Sequence, residues 1–505
     1  MSQFKSRNLK QPVIRRLGHF ERFQDSFQTM DIYRGTSITC LYNIPESLRD
    51  PSSHDNLVQT LELAVANTLN QHPLLQVGII NERTRQAAWS RIDQVNLADY
   101  IEWRLVDALD NYDDTLREIT QQQLDTKFEN RATRFGWRLV ALKLEAQNLL
   151  EIVFVWCHAN LDGTGGKIFH ESLLHSLNSV MTGACQISLE NHIYQTTASA
   201  QNMLPSQEIL ANYRITPKFA LNTVWDELKP PMFVSKSTYV SWADITKAPC
   251  KTQVRSLHVN QITLQKILTA CRSHKTTLTG LLHGITFVCL VRQLPESKIA
   301  SMMAETPIDL RRFITPQDKA SPTIDPGRLI GNYVTQMKHV FGKELVNKIW
   351  RLSQTVDEGQ QFTALETDMW ATAVRVRQEI QAKLDLGLKN DAVGLMAAVS
   401  DWEKYQQDEL AKPRVVSWLI TNVGQIDGLH KVDEKSCWSI ERCKFSITAG
   451  ITWPMFSISV ISAKGHDLCV NITCQDGLID PAIGDRLVEG IKKWLDHIAC
   501  NLSII

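Results

Sequence analysis

The chain has 505 residues, more than one hydrophobic core normally organises, so two domains of similar size are expected. Lysine plus arginine equal aspartate plus glutamate at 54 each, which excludes the strong positive charge of a nucleic-acid-binding protein. Hydrophobic residues make up 43% and charged residues 21%, a composition typical of soluble globular proteins.

The 11 cysteines are odd in number and form no CxxC pair. They lie in apolar runs, as Cys157 and Cys469 do, which indicates buried free thiols in a reducing compartment and neither a disulfide framework nor a metal site. The N-terminus lacks the apolar segment of a signal peptide, and the longest apolar stretch, residues 278–291, is too short to span a bilayer. We therefore expect a cytoplasmic protein with no transmembrane segment.

Strands and helices alternate in the first 215 residues. Residues 55–71 have apolar side chains at helical spacing and end just before a proline, and residues 74–80 are then predicted to form a strand. Residues 137–144 and 149–157 are β-branched-rich runs that predict two neighbouring strands. After a glycine-rich turn, residues 167–181 show the apolar stripe of an amphipathic helix.

Periodicity fades after this region, and prolines become frequent. The sequence therefore predicts an N-terminal lobe at 1–215, an inter-lobe linker at 216–250 and a C-terminal lobe at 251–505. In the second lobe we expect helices at 276–291, 344–404 and 481–502, and strands at 415–423, 445–452, 456–462 and 468–474. The predicted fold class is α/β, with two lobes that each contain a mixed sheet and flanking helices.

The candidate catalytic segment is the run from His158 to Gly163, which follows the second predicted strand. Imidazole titrates near neutral pH, so His158 can accept a proton from a hydroxyl group that attacks a carbonyl carbon. Asp162 could orient the histidine directly or pair with an arginine elsewhere, and Gly163 permits a close approach of substrate or backbone. The alternative is that His158 is a histidine bonded by backbone groups and that Asp162 only caps the next helix.

Other reactive side chains have simpler interpretations. His170, His175 and His283 lie on predicted helices and are expected to be packing or surface histidines. Residues 163–167 lack the spacing of a nucleotide-binding phosphate loop. Cys157 precedes the candidate histidine in an extended strand and should point to the opposite side, into the core.

The run HANLDG at 158–163 is similar to the HxxxDG motif of the CoA-dependent acyltransferase superfamily, which includes chloramphenicol acetyltransferase, the plant BAHD acyltransferases and condensation domains. The chain most resembles the fungal alcohol acetyltransferase branch, and the similarity extends over most of its length. Further segments match in order and spacing: Arg16-Leu-Gly18 with Glu21, Gln71-His-Pro-Leu-Leu75, Trp137-Arg-Leu139, Ile308-Asp-Leu-Arg311, Ile330-Gly-Asn-Tyr-Val334 and Thr421-Asn-Val-Gly424.

The resemblance implies two chloramphenicol-acetyltransferase-like lobes with the active-site channel between them. It implies that His158 is the general base and that Asp162 pairs with Arg311, so that Asp162, Arg311 and Gly163 support the site. The plant-type DFGWG sequence is absent, which leaves the oxyanion donor unassigned. Trp453, Thr452 and Ser446 are candidates for contact with the oxyanion or the substrate.

The implied activity is transfer of an acetyl or short acyl group from CoA to the hydroxyl of a small apolar acceptor such as a specialised metabolite. Acetyl-CoA would be a co-substrate, with no bound cofactor or metal, and the protein is expected to be a monomer. Two alternatives stay open: an amide-forming or other condensation-type enzyme of the same fold, and a non-catalytic protein that binds small molecules. Peripheral membrane association through the terminal helix is also open. The sequence leaves the acceptor and the acyl chain length undetermined.

Overall fold

The fold is seen in a computed structural model of the protein. It describes residues 12–106, 111–144, 147–228, 245–246, 250–295, 301–314, 325–355, 360–428 and 436–501. The strands are β1 (Val13–Arg16), β2 (Thr36–Asn43), β3 (Val77–Ile80), β4 (Ala88–Arg91), β5 (Gln94–Asn96), β6 (Ile101–Val106), β7 (Trp137–Leu144), β8 (Leu149–Trp156), β9 (Ile193–Gln195), β10 (Thr252–Val259), β11 (Met302–Asp309), β12 (Val334–Phe341), β13 (Trp418–Ile426), β14 (Ser439–Ile447), β15 (Phe456–Ala463) and β16 (Leu468–Gln475). The helices are α1 (His19–Thr29), α2 (His54–Gln71), α3 (Tyr112–Asp125), α4 (Gly163–Met181), α5 (Gln207–Leu210), α6 (Pro217–Leu228), α7 (Gln261–Ser273), α8 (Leu278–Gln293), α9 (Lys343–Thr355), α10 (Gln361–Leu386), α11 (Trp402–Leu410) and α12 (Pro481–Asn501). The mixed α/β class predicted from the sequence is confirmed.

The first lobe is built on a five-stranded sheet with the order β14-β2-β8-β7-β6. β2, β8 and β7 pair antiparallel, while β6 runs parallel to β7. β8 is the central strand and is buried along nearly its whole length, which explains its continuous apolar sequence. α2 and α4 pack against each other and contribute Leu61 and Leu173 to the core of this lobe.

The second lobe is built on a six-stranded sheet with the order β10-β16-β15-β13-β11-β12. β11, β13 and β15 are parallel, and the remaining pairs are antiparallel. α8, α10 and α12 contribute to its core. α8 is buried on almost all sides, and a Cβ atom at Gly280 or Gly284 would lie 2.6 Å from the carbonyl oxygen of Ala373 or Met369 in α10. The two glycines thus allow these helix backbones to approach closely.

β14 links the two lobes. Although it comes late in the sequence, it pairs antiparallel with β2 of the first sheet, from Ser439 opposite Asn43 to Ile447 opposite Thr36. It also contacts β15 and β16 of the second sheet. The first sheet is therefore completed by a strand from the distal part of the chain.

Most predicted elements are present with shifted boundaries. The helix predicted at 55–71, the strand pair at 137–157 and the terminal helix match α2, the β7–β8 hairpin and α12. The strand predicted at 74–80 is shorter, because Pro73 starts a 3-10 turn that runs to Gln76. The long helical region predicted at 344–404 is divided, and Gly387 ends α10 with a φ of 57°.

The predicted linker at 216–250 contains α6 at its start, while residues 229–244 and 247–249 lie outside the described residues. The lobe boundaries at 215 and 251 stay a prediction. Among the described helices, none has the combination of length and hydrophobicity that a bilayer-spanning segment needs.

Candidate active site

A cavity of about 460 Å³ opens between the two lobes. We call it the channel. Its walls come from α1, from β11, β12 and β13, and from the loop that follows β14. His158, Asp162 and Gly163 line it, so the candidate catalytic segment faces a space large enough for a small molecule.

His158 lies in the turn directly after β8, and backbone hydrogen bonds fix this turn on both sides. The Cys157 N–H donates to the Gly136 carbonyl oxygen at 2.8 Å, and the Asn160 N–H donates to the Cys157 carbonyl oxygen at 2.9 Å. Burial of the imidazole lowers the pKa of His158, and Asp162, the histidine's own carbonyl and Asn332 partly oppose this effect. The neutral form, which can accept a proton, is therefore favoured.

Asn332 holds the turn that carries His158 from the second lobe. Its Nδ2 donates to the carbonyl oxygens of His158, at 2.5 Å, and Ala159, at 3.0 Å. The Asn332 Oδ1 and the His158 Nδ1 are both buried without a hydrogen-bond partner among the described residues. The segment Ile330-Gly-Asn-Tyr-Val334 thus contacts the backbone of His158, a contact that the sequence alone did not reveal.

Asp162 directs its carboxylate away from the histidine. Arg311 donates to it from both terminal nitrogens, at 2.9 Å and 3.0 Å, and the backbone N–H of Tyr333 donates to it at 2.8 Å. Its Oδ1 also accepts from the Gly165 N–H at 2.8 Å, so Asp162 is the N-cap of α4. The structure therefore brings Asp162 and Arg311 together in a buried, bidentate ion pair, a geometry that suits a supporting role.

Gly163 is packed closely against side chains of two strands. A Cβ atom at this position would be 2.9 Å from side-chain carbons of Phe445 and Val423. Phe445 belongs to β14 and Val423 to β13, so both lobes contribute to this contact. A side chain here would require Phe445 or Val423 to shift.

The three candidates for oxyanion or substrate contact lie in different places. Trp453 and Thr452 line the channel, and the Trp453 ring is 6.5 Å from the His158 ring, centroid to centroid. Ser446 does not reach it: its hydroxyl accepts a hydrogen bond from Asn471 at 2.8 Å, whereas its neighbours Phe445 and Ile447 line the channel. Alternation along β14 therefore places Ser446 on the opposite face.

The three other histidines singled out in the sequence do not line the channel. His170 is buried, with its ring nitrogens bonded to the Tyr42 hydroxyl at 2.8 Å and the Ile38 carbonyl oxygen at 3.0 Å. His283 is buried between Thr306 and Trp418, and His175 is exposed. The Cys157 side chain is fully buried, and burial raises the pKa of its thiol, which makes it a poor nucleophile.

Sequence reasoning missed two features of the channel. Phe20, Phe23 and Phe27 of α1 line it, and their spacing of three and four residues could have indicated one aromatic helix face. Glu305 of β11 also lines it. No local pattern marks Glu305, because its significance depends on what surrounds it in space. Within the described part of the chain, no group of acidic, histidine or cysteine side chains could hold a metal ion.

Comparison with known proteins gives a match over most of the chain. The family model described as alcohol acetyltransferase matches residues 58–482. The chain belongs to the alcohol acetyltransferase family. It is 23% identical to a probable alcohol acetyltransferase of Fusarium pseudograminearum, over 96% of this chain and 95% of that protein. It is 21% identical to a second one, from Aspergillus fumigatus, over 95% of this chain and 98% of that protein.

Solved structures show the same fold. The trichothecene 15-O-acetyltransferase TRI3 of Fusarium sporotrichioides superposes with a TM-score of 0.66 at 15% identity, over 96% of this chain and 94% of that one. TRI101 of F. sporotrichioides, solved with coenzyme A and T-2, gives a TM-score of 0.55 at 12% identity, over 96% and 98%. The predicted two-lobed, chloramphenicol-acetyltransferase-like fold is thereby confirmed. This family member is an acyltransferase that acetylates alcohols.

Proposed function

We propose that this alcohol acetyltransferase moves an acetyl group from acetyl-CoA to the hydroxyl of a small apolar alcohol, with His158 as the general base. The observation that carries the proposal is a buried imidazole that faces a channel between the lobes and has its pKa lowered by that burial. A neutral imidazole at physiological pH is the form that can remove a proton. The CoA-bound state of TRI101 supports the choice of donor.

The proposed reaction needs one proton acceptor and no covalent enzyme intermediate. Nε2 of His158 removes the proton from the alcohol while its oxygen attacks the carbonyl carbon of the thioester. The tetrahedral intermediate collapses, the bond from carbon to sulfur breaks, and the CoA sulfur takes the proton from the imidazolium. Thr452 and Trp453 are proposed to contact the developing oxyanion or the substrate.

Asp162, Arg311 and Gly163 are proposed to support this chemistry without taking part in it. The ion pair holds the start of α4 against the second lobe, and the missing side chain at Gly163 lets Phe445 approach. Both contacts fix the turn that carries His158. We also propose that the protein acts as a monomer in the cytosol, in keeping with its mostly buried free cysteines.

The direct test is replacement of the histidine. We expect His158→Ala to lower kcat roughly a hundredfold to ten-thousandfold, because the hydroxyl proton loses its acceptor. Acetyl ester and free CoA would be measured by mass spectrometry with acetyl-CoA and a panel of alcohols. The melting temperature should show that the variant is folded.

His175→Ala is the matched control, since His175 is an exposed histidine of α4 and should leave activity unchanged. Retention of most activity by His158→Ala would exclude the proposed base. A requirement for a carrier protein would instead favour a condensation-type enzyme, and the absence of both CoA binding and product would favour a binding protein.

A further inference from the structure

One wall of the channel is aromatic. Phe23 lies 4.9 Å from Phe27, Phe27 lies 5.7 Å from Trp453, and Trp453 lies 4.6 Å from Tyr33, all between ring centroids. Tyr33 in turn lies 5.8 Å from the His158 ring. We call these four rings the aromatic wall. It runs along the channel from His158 to α1, and its flat apolar faces suit a ring-shaped apolar molecule.

A single acidic side chain faces the channel from β11. Glu305 lines it, whereas the next residue, Thr306, points to the other face and bonds to His283 and His339. Glu305 is only 8% exposed. Its carboxylate accepts no hydrogen bond from any residue in the described ranges. Lys338, across from it in β12, is exposed and acts on the carboxylate only through its charge.

Glu305 differs in this respect from the other buried carboxylates in the described part of the chain. Each of the others has a basic side chain within hydrogen-bonding distance: Glu21 with Arg15 at 2.7 Å, Asp25 with Arg131 at 2.5 Å, Glu62 with His192 at 2.8 Å, Glu151 with Arg442 at 2.9 Å, Asp162 with Arg311 at 2.9 Å and Asp391 with Lys383 at 2.6 Å. A buried carboxylate without a partner is unfavourable in the empty protein, and burial raises the pKa of Glu305. Such a group is expected where a ligand supplies the partner.

We propose that Glu305 determines acceptor specificity: its carboxyl group binds a second hydrogen-bond donor, a hydroxyl or an ammonium group, on an alcohol whose body is an apolar ring. The inference rests on the proposed function and narrows its acceptor class. The aromatic wall contacts the ring, and Glu305 binds the second polar group while His158 acts on the reacting hydroxyl. Selectivity follows, because an acceptor that lacks the second donor leaves a buried carboxyl group unpaired.

Three para-substituted benzyl alcohols test this class of acceptor. They are 4-methylbenzyl alcohol, 1,4-benzenedimethanol and 4-(dimethylaminomethyl)benzyl alcohol, which share one ring and differ in the second group. A hydrogen bond to a charged group corresponds to about a tenfold to hundredfold preference in kcat/KM over the methyl compound. Because 1,4-benzenedimethanol has two equivalent hydroxyl groups, its kcat/KM must exceed that of the methyl compound by more than twofold to indicate a contact with Glu305. Binding of each alcohol is measured in parallel by calorimetry, which does not depend on turnover.

Two variants separate the sources of the donor. Glu305→Leu removes the acceptor and the charge, whereas Glu305→Gln removes only the charge. If the second group is a hydroxyl, the preference should disappear in Glu305→Leu and persist in part in Glu305→Gln. If the second group is an ammonium group, the preference should disappear in both variants. The paired controls are Glu344→Leu and Glu344→Gln, because Glu344 is an exposed acid of α9; these should keep the preference of the wild type.

The outcomes separate this inference from the proposed function. Equal kcat/KM values for the three alcohols within threefold, or a preference that both Glu305 variants retain, would overturn the role of Glu305 and leave acetyl transfer standing. A binding preference that depends on Glu305 without any ester product would support the role of Glu305 and overturn the proposed reaction. Absence of both binding and transfer for all three would overturn the role of Glu305, and absence of CoA binding as well would overturn both.

Discussion

Asp162 and His158 lie four residues apart in the sequence but have different contacts in the structure. The carboxylate of Asp162 receives hydrogen bonds from Arg311, from the Tyr333 N–H and from the Gly165 N–H. Among the described residues no hydrogen bond joins this carboxylate to His158, and its charge partly opposes the lowering of that histidine's pKa by burial. The histidine is therefore positioned by its backbone, which Asn332 holds.

The lowered pKa of His158 predicts the acid side of the pH profile. The base must be neutral, and burial shifts its protonation below the ordinary value of 6.5. We expect kcat/KM to stay constant as the pH falls to about 6.5 and to decrease only at lower pH. Initial rates at saturating acetyl-CoA and low alcohol concentration would show this. An activity loss that begins clearly above pH 6.5 would contradict it.

Loss of either member of the Asp162–Arg311 pair should destabilise the protein. Asp162→Ala or Arg311→Ala leaves one buried charge unpaired, and we expect each to lower the free energy of unfolding by about 3 to 5 kcal/mol. The double variant should lose less unfolding free energy than the sum of the losses in the two single variants. Urea denaturation measures this, with Lys348→Ala as the control.

Lys348 is 58% exposed and pairs with Asp368, whose side chain is 16% exposed, and because solvent reaches the ammonium group its loss should cost less than about 1 kcal/mol. Unchanged stability in both Asp162→Ala and Arg311→Ala would show that the buried pair has no structural importance. Equal losses of unfolding free energy in Lys348→Ala and Asp162→Ala would show that burial does not increase the contribution of an ion pair to stability.

At the scale of elements, the contact between α8 and α10 depends on glycine. Alanine is favoured over glycine in a helix by up to about 1 kcal/mol, so Gly284→Ala would stabilise an isolated α8. In the protein its Cβ would lie 2.6 Å from the carbonyl oxygen of Met369. We expect the clash to dominate and to lower the free energy of unfolding by about 1 to 2 kcal/mol.

Gly342→Ala is the control for this experiment, because a Cβ at Gly342 would meet nothing within 4 Å. Its free energy of unfolding should change by no more than about 0.5 kcal/mol. Stabilisation by Gly284→Ala would show that the two helices move apart at little cost.

The sequence predicted the elements that depend on local pattern. The β7–β8 hairpin and α4 were evident from apolar runs and periodicity. β14 was placed at 445–452 instead of 439–447, because Glu441 and Arg442 interrupt its first half. Arg442 pairs with the buried Glu151 of β8, so a partner about three hundred residues away makes this charge compatible with the sheet.

The difference between local pattern and distant contacts also explains which candidate site residues could be predicted from the sequence. His158, Asp162 and Arg311 belong to motifs that a resemblance can identify. Glu305 and the contact of Asn332 with His158 depend on neighbours that only the fold supplies. Ser446 shows the converse, since a hydroxyl near the site in sequence lies on the far face of its strand.

At the scale of the whole molecule, buried histidines link stability to pH. Burial lowers the pKa of His72 and of His170 to about 4 in each case, below the value of 6.5 expected after unfolding. Between these values the unfolded chain binds more protons than the folded protein, so stability falls as the pH falls from 6.5 towards 4. Protonation of each histidine should lower the free energy of unfolding by on the order of 3 kcal/mol at pH 4.

Urea unfolding at pH 7, 6 and 5 would measure this dependence. His170→Gln should reduce the slope of the free energy of unfolding against pH below pH 6.5. The control is His175→Ala, which should keep the slope of the wild type because His175 is exposed. A stability that is independent of pH over this range would contradict the assignment of neutral buried imidazoles.

The position of β14 also has a consequence during protein synthesis. β2 and β8 leave the ribosome early, but the strand that covers the free edge of β2 begins only at Ser439. At typical translation rates the interval between β8 and β14 lasts roughly 15 to 60 s. Throughout that time β2 presents unpaired backbone groups on which other chains can add a strand. We therefore expect a chain truncated before residue 439 to aggregate more readily than the full-length protein.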